Sequence, residues 1–368
     1  MGSGKSRNWK TGITTGACAA AAARAAARAL FTGECASAET VVNPAGVEIR
    51  VPVAGTRLED GLAVAWVIKD AGDDPDVTHG LEIVATVRPA PEGVVIRGGT
   101  GVGTVTRPGL SVPVGGSAIN PVPRRMIGDA LGDFLAFGTG IEVTVSVPRG
   151  EEVAGRTANP RLGITGGISI LGTSGIVRPM SEEAYRDSLV PQVTVARAAG
   201  HRTLVLTPGR MGLTVAARYG LPATATAEMG NFVGFMLETC VEHGVEGVLL
   251  WGHHGKIAKV AAGVFHTHSR VADARLETLA AYAGAAGAPA ALLGAVLAAN
   301  TAEEAASLLA GAGFGPVFAT LARRASERAA AYVEGRLAVG TVLLTLAGVI
   351  IGMDRAGQAM LEELGWAG

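Results

Sequence analysis

Residues 11–28 read TGITTGACAAAAARAAAR. A helix built almost wholly of alanine constrains the fold more than any other segment of this chain. Each alanine buries little area, so such a helix is stable only where its neighbours approach closely. The spacing predicts a helix from about Ala17 to Phe31, with Thr14 and Thr15 as N-cap candidates and Gly33 as its stop. Its bareness predicts tight packing on a sheet. Cys18 falls in the first turn, where it reads either as a stabilised thiolate or as a small buried residue.

Strand-like segments follow at 39–43, 47–53, 81–87 and 93–97, and the stretch between the second and third reads as helical. VEIRVPV and EIVATV alternate as half-buried strands do. Pro123 suits the first turn of a helix running to about Phe137, and IEVTVSV at 141–147 alternates again. Strands with helices on one side predict a two-layer α+β domain over residues 1–155. The polar run GEEVAGRTANPRLG is the expected boundary. Beyond it apolar runs alternate with helices: LGITGGISIL before a helix at 181–199, TLVLTPG before 211–219, and GVLLWGHHG between helices at 229–243 and 255–262. That rhythm predicts a doubly wound, Rossmann-like α/β domain over 156–368, ending in a helical tail with one late strand, VLLTLAGVII.

Composition excludes several classes. With 31 basic and 32 acidic residues the formal net charge is −1, and only 4% of residues are aromatic. No basic stripe or stacking platform for nucleic acid stands out. Three cysteines at no ligand spacing fit a reducing compartment, hence a cytoplasmic location. The alanine run after a basic N-terminus is interrupted by Arg24 and Arg28, so it reads as a folded helix, with a transit peptide as the alternative. The apolar runs at 283–299 and 341–351 are broken or too short to span a bilayer, so no membrane partner is expected.

Ligands of doubly wound sheets bind beyond the carboxyl ends of the strands. Three glycine-rich loops are expected there, GTSG (172–175), TPGRMG (207–212) and GHHGK (252–256). They fit either a nucleotide-like ligand or ordinary tight turns. GGTGVG at 98–103 is no dinucleotide fingerprint, because no helix opens directly after it, and no Walker loop is present. Adjacent His253 and His254 make a poor metal pair, and His266 with His268 lack a third ligand, so no metal site is expected. No serine triad is evident. Arg124 and Arg125, with Arg97 and Arg107, form either a carboxylate-binding surface or a solvated face.

The same segments resemble the CbiD family of cobalt-precorrin-5B C1-methyltransferases of anaerobic cobalamin biosynthesis. The resemblance rests on TGITTGACAAAAARAA (11–26), GGTGVGTVTRPGL (98–110), AINPVPRRMI (118–127), GITGGISILGTSGIVRPMSEEAY (163–185), EMGNFVGFML (228–237) and GHHGKIAKVAAGVFHTHSRVADARLE (252–277). It implies transfer of a methyl group from S-adenosylmethionine to C1 of a cobalt-bound tetrapyrrole, giving cobalt-precorrin-6A. Sulfonium methyl transfer needs alignment and exclusion of water more than acid–base groups. On that footing Thr14, Thr15, Gly16, Gly101, Gly103, Asn120, Arg124 and Arg125 are expected at the tetrapyrrole, in the N-terminal domain. Thr207, Pro208, Gly209, Glu228, Gly230, Asn231, Gly252, His253, Gly255 and Lys256 are expected at the cofactor, in the C-terminal domain. Asp273 and His268 are candidates for proton handling or for structural hydrogen bonds. Two other functions stay open: a corrinoid carrier that ignores the methyl donor, and a chelatase-like protein using His253, His266 and His268. A homo-oligomer is also left open.

Overall fold

The structure, a computed structural model, describes residues 9–137 and 140–366. It is of mixed α/β class and divides into two compact units, the first ending at Glu182 and the second beginning at Glu183.

The first unit opens with β1 (Gly12–Ile13) and α1 (Thr15–Thr32). The Thr14 hydroxyl accepts from the Ala17 N–H at 3.2 Å, and Gly33 closes the helix in the left-handed region at φ 74°. Every alanine of α1 is buried. A buried methyl contributes only about 0.8 kcal/mol, so α1 is held by many short contacts. Its partners are correspondingly small. The chain runs through β2 (Ala38–Val42), β3 (Glu48–Pro52), β4 (Gly55–Glu59), β5 (Leu62–Ile68), β6 (Glu82–Ala90) and β7 (Val94–Gly98). It continues with β8 (Gly101–Val102), β9 (Thr104–Val105), α2 (Pro121–Leu131) and β10 (Gly140–Ser146). The main sheet has the order β4-β5-β6-β10-β7, antiparallel except for β10 with β7. Ala63, Ala65 and Ala85 share a core with the α1 alanines, and Ala65 stands directly opposite Ala85. Small residues on both sides permit the close approach that the alanine run demands. Arg24 and Arg28 both reach buried Glu39 on β2, at 3.2 and 2.7 Å.

The stretch between 54 and 80, expected to be helical, instead contains the hairpin β4–β5. Alanine's helix propensity is outweighed by the inward alternation of Ala63, Ala65 and Val67.

A second correction concerns the boundary. After α3 (Gly150–Ala154) and α4 (Asn159–Leu162) come β11 (Ile164–Thr165), β12 (Gly167–Ile168) and β13 (Ile176–Val177). These pair with β9, β8 and β1. LGITGGISIL is therefore a seam of the first unit rather than the opening strand of the second sheet. The chain turns at Gly166, φ +77°, so the apolar run is broken into two-residue strands. GTSG belongs to the same unit: the Gly175 carbonyl accepts from the Thr14 N–H at 3.0 Å.

The boundary falls at the first residue of α5 (Glu182–Ala198), and the second unit continues with β14 (Thr203–Thr207), α6 (Arg210–Arg218), β15 (Thr226–Glu228) and α7 (Val233–Glu242). Next come β16 (Gly247–His253), α8 (His254–Ala261), α9 (Arg275–Ala285), α10 (Ala290–Ala298) and α11 (Ala302–Gly311). The chain ends with α12 (Val317–Tyr332), β17 (Ala338–Leu344), β18 (Ile350–Met353) and α13 (Arg355–Glu363). Its sheet has the order β15-β14-β16-β17-β18, parallel except for β18. Leu204, Leu206, Val248 and Leu250 face one core with α5, α7, α8 and α12; Val205, Leu249 and Trp251 face another with α6 and α13. VLLTLAGVII resolves into parts of two antiparallel strands, β17 and β18, not one. Short β15, for which the sequence carried no expectation, precedes α7. Among the described residues no helix is long and apolar enough to cross a membrane.

Candidate functional site

In the second sheet the chain goes from β14 out to β15 on one side, then returns to β16 on the other. The carboxyl ends of β14 and β16 thus flank a reversal of winding, where α/β sheets form their crevices. Thr207, Glu228 and His253 end these strands. The Met229 N–H donates to the Thr207 carbonyl at 2.7 Å, tying β15 to β14. A Cβ on Gly252 would lie 2.6 Å from Pro208 Cδ, so this glycine lets the two strand ends close up. A Cβ on Gly255 would lie 2.8 Å from that of Ala302, and one on Gly230 2.9 Å from the Tyr185 ring. These are packing positions. Gly209 differs: the single atom near an added Cβ is Glu228 Oε1, at 3.9 Å. Its backbone is open beside a carboxylate. Gln192, not expected from the sequence, clamps Glu228 by accepting from its N–H at 2.9 Å and donating to its carbonyl at 3.4 Å.

His253 and His254 have separate roles. His253 Nδ1 accepts from the Gly255 N–H at 3.2 Å, which leaves Nε2 to donate to Glu303 Oε2 at 2.9 Å. Burial and then the His254 ring hold His253 below the ordinary imidazole range, against the pull of Glu303. His254 is fully buried, each ring nitrogen near a carbonyl oxygen, Leu344 at 3.0 Å and Ala302 at 2.9 Å. Ligand atoms of His253, His254 and Glu303 lie within 4.8 Å of one another. Both ring nitrogens of His253 are in hydrogen bonds and each nitrogen of buried His254 faces a carbonyl oxygen, so metal binding would displace these contacts.

Lys256 Nζ donates to Asn231 Oδ1. Burial, then the charge of Lys259, keeps the Lys256 ammonium below the usual lysine range. Lys259 Nζ braces the following loop through the carbonyls of Thr267 at 3.2 Å and Ala272 at 2.9 Å. Asp273 sits 3.7 Å from Lys259 and 3.4 Å from Arg275. His268 Nδ1 accepts from the Arg270 N–H at 3.1 Å and closes a turn. Asp273 and His268 therefore both have structural partners. His266 stacks on Phe232 at 4.8 Å.

The remaining expected residues lie in the first unit. The 164–171 seam gathers several. Thr15 Oγ1 accepts from the Leu171 N–H at 2.9 Å and donates to its carbonyl at 3.1 Å. The Gly16 N–H donates to the same carbonyl at 3.0 Å, and the Asn120 N–H to Ile170 at 3.0 Å. Gly101, at φ +72°, would place a Cβ 1.9 Å from the Val147 carbonyl, and Gly103 one 2.4 Å from Ile164. These glycines serve close backbone packing. Arg124 donates to the carbonyls of Ile119 at 3.0 Å and Ile96 at 3.2 Å, Arg97 pairs with Glu142, and Arg125 is exposed. Beside α1 lies a cavity of about 150 Å³ lined by Thr14, Thr15, Lys69, Asp76, Thr78 and Ser169. Lys69 and Asp76 were missed, although a lysine continuing the inward register of Ala63, Ala65 and Val67 was a readable signal.

The family model described as CbiD matches residues 3–179, and that of the CbiD C-terminal domain matches 266–355. A Moorella thermoacetica protein named cobalt-precorrin-5B C(1)-methyltransferase is 53% identical over 97% of this chain and 98% of its own length. A Desulfitobacterium hafniense protein of the same name is 49% identical over 97% and 92%. The crystal structure of a cobalamin biosynthesis protein from Archaeoglobus fulgidus is 31% identical, covering 72% of this chain and 83% of its own, with a TM-score of 0.39.

Proposed function

The chain belongs to the CbiD family, and from that premise we propose that it transfers a methyl group from S-adenosylmethionine to C1 of cobalt-precorrin-5B. The observation that carries this reading is the 53% identity, over nearly the whole of both chains, to a relative so named. On this reading the first unit is a two-layer α+β domain that contacts the tetrapyrrole. The second is a doubly wound, Rossmann-like domain that binds the methyl donor.

The residues at the winding reversal suit such a donor. When bound, S-adenosylmethionine supplies a methyl on a positively charged sulfur, and that sulfur leaves as a neutral thioether once C1 has taken the methyl. No side chain need protonate the leaving group. The chain supplies position instead. Packed glycines draw the Thr207–Pro208 and Gly252–His253 ends together as a rigid floor. Gly209 leaves a backbone approach, and the adjacent Glu228 carboxylate suits ribose hydroxyls. Gln192 fixes where Glu228 stands. Asp273 and His268 support the floor through the 263–275 loop, and no proton step is given to them.

The test is incubation with methyl-labelled S-adenosylmethionine and cobalt-precorrin-5B, followed by mass analysis of the tetrapyrrole. One labelled methyl gained per ring is expected. A protein that binds the ring and leaves it unlabelled is a carrier, and the reading fails.

A further inference from the structure

Lys69 is 1% exposed, and its ammonium has one partner among the described residues, Asp76 Oδ2 at 2.6 Å. Removing an ammonium from water is costly, and one carboxylate satisfies one of its three N–H donors. The cavity beside α1 adjoins this group.

The lining groups divide sharply by hydrogen-bonding sense. The carboxylate and amide acceptors are already engaged. Asp76 Oδ1 takes the Thr78 N–H at 2.8 Å and its hydroxyl at 2.6 Å, while Oδ2 takes Lys69. Asn159 Oδ1 takes the Ser169 hydroxyl at 3.1 Å. The Thr157 and Thr15 hydroxyl oxygens take the N–H groups of Asn159 at 3.1 Å and Leu171 at 2.9 Å, and both hydroxyls donate to carbonyls of their own unit. Among the described residues donors are left over: further N–H groups on Lys69, and the hydroxyl hydrogen of Thr14, whose oxygen already accepts from Ala17. A cavity with donors to spare and acceptors engaged suits a ligand that brings acceptor oxygens. Its size suits a short arm rather than a ring system, since a cavity of about 150 Å³ admits a single benzene. Ile168, Leu171 and Val177 supply apolar wall for the arm's carbons.

We propose that this cavity receives one ligand carboxylate on the Lys69 ammonium. This rests on the methyltransferase reading for the ligand's source, an acetate or propionate arm of the tetrapyrrole.

The first measurement uses the unaltered protein with its lysine ammonium groups labelled with ¹⁵N, the Lys69 signal being the one lost in Lys69→Met. Titration with propionate is expected to shift that signal saturably, while chloride at equal ionic strength does not. No shift beyond the chloride control overturns the proposal. The second uses Lys69→Met/Asp76→Asn, which removes both charges so that neither stays buried alone. With folding verified by circular dichroism, a roughly 10- to 100-fold weaker affinity for cobalt-precorrin-5B is expected, with S-adenosylhomocysteine binding unchanged. The reverse pattern, weaker S-adenosylhomocysteine binding with cobalt-precorrin-5B affinity unchanged, overturns the proposal. Unchanged affinity for both overturns it. Should the double variant not fold, the propionate titration decides alone. Should the unaltered protein transfer no methyl, the function fails while the propionate result still judges the pocket.

Discussion

Asp76 is the residue on which the buried Lys69 depends. Burial pushes its carboxyl up, but the charge and hydrogen bond of Lys69, with two bonds from Thr78, hold it below the usual range. A depressed folded value means that its stabilisation is complete above the unfolded value near 4 and fades as pH falls through the folded one. Asp76→Asn leaves an uncompensated ammonium and is expected to lose about 3 kcal/mol at neutral pH. That deficit should narrow as pH falls below about 4, where the unfolded carboxylate protonates, and close through the lower folded value, and urea unfolding across pH reads both effects. A deficit constant with pH would show that the pair contributes no charge coupling. The cysteines give a simpler test. Burial pushes the thiols of Cys18 and Cys240 up to about 12, whereas Cys35 is exposed. A thiol reagent at pH 8 should therefore label one cysteine rapidly in the native protein and all three in denaturant. Rapid labelling of Cys18 would revive the thiolate reading. The sequence left these roles open because desolvation depends on neighbours far along the chain.

Among elements, α1 shows most directly how packing follows from composition. Ala22→Leu adds bulk between α1 and its surroundings and is expected to cost about 1–3 kcal/mol. Thr14→Ala removes the cap and is expected to cost about 1 kcal/mol. Both are read as shifts in the urea midpoint with the slope unchanged. A neutral Ala22→Leu would mean that the buried alanines are not tightly confined. The helix, its cap and its stop were all legible, because they depend on neighbours within a few residues. The hairpin β4–β5 was not. Ala63 and Ala65 read as helix formers in isolation, and they are strand residues here because they share a core with the alanine helix.

At the scale of the molecule, each unit has its own hydrophobic core. A fragment of residues 1–182 is expected to melt cooperatively. A fragment of residues 1–155 is not, since it loses the strands that pair with β8, β9 and β1. Equal cooperativity of the two fragments by circular dichroism would make the seam dispensable. The seam escaped a reading of the sequence because LGITGGISIL pairs with residues some sixty positions earlier.

The sequence by itself determined what depends on short-range order and on extended likeness: the alanine helix, the alternation of most strands, the βα rhythm after residue 200, and the family. Tertiary structure alone decided which glycines serve packing and which leave a backbone open. It also placed Lys69 beside Asp76 at a cavity, and ended the first unit at Glu182. The physical reason is that burial, close approach and hydrogen-bond satisfaction belong to pairs of distant residues, and no local pattern records the partner.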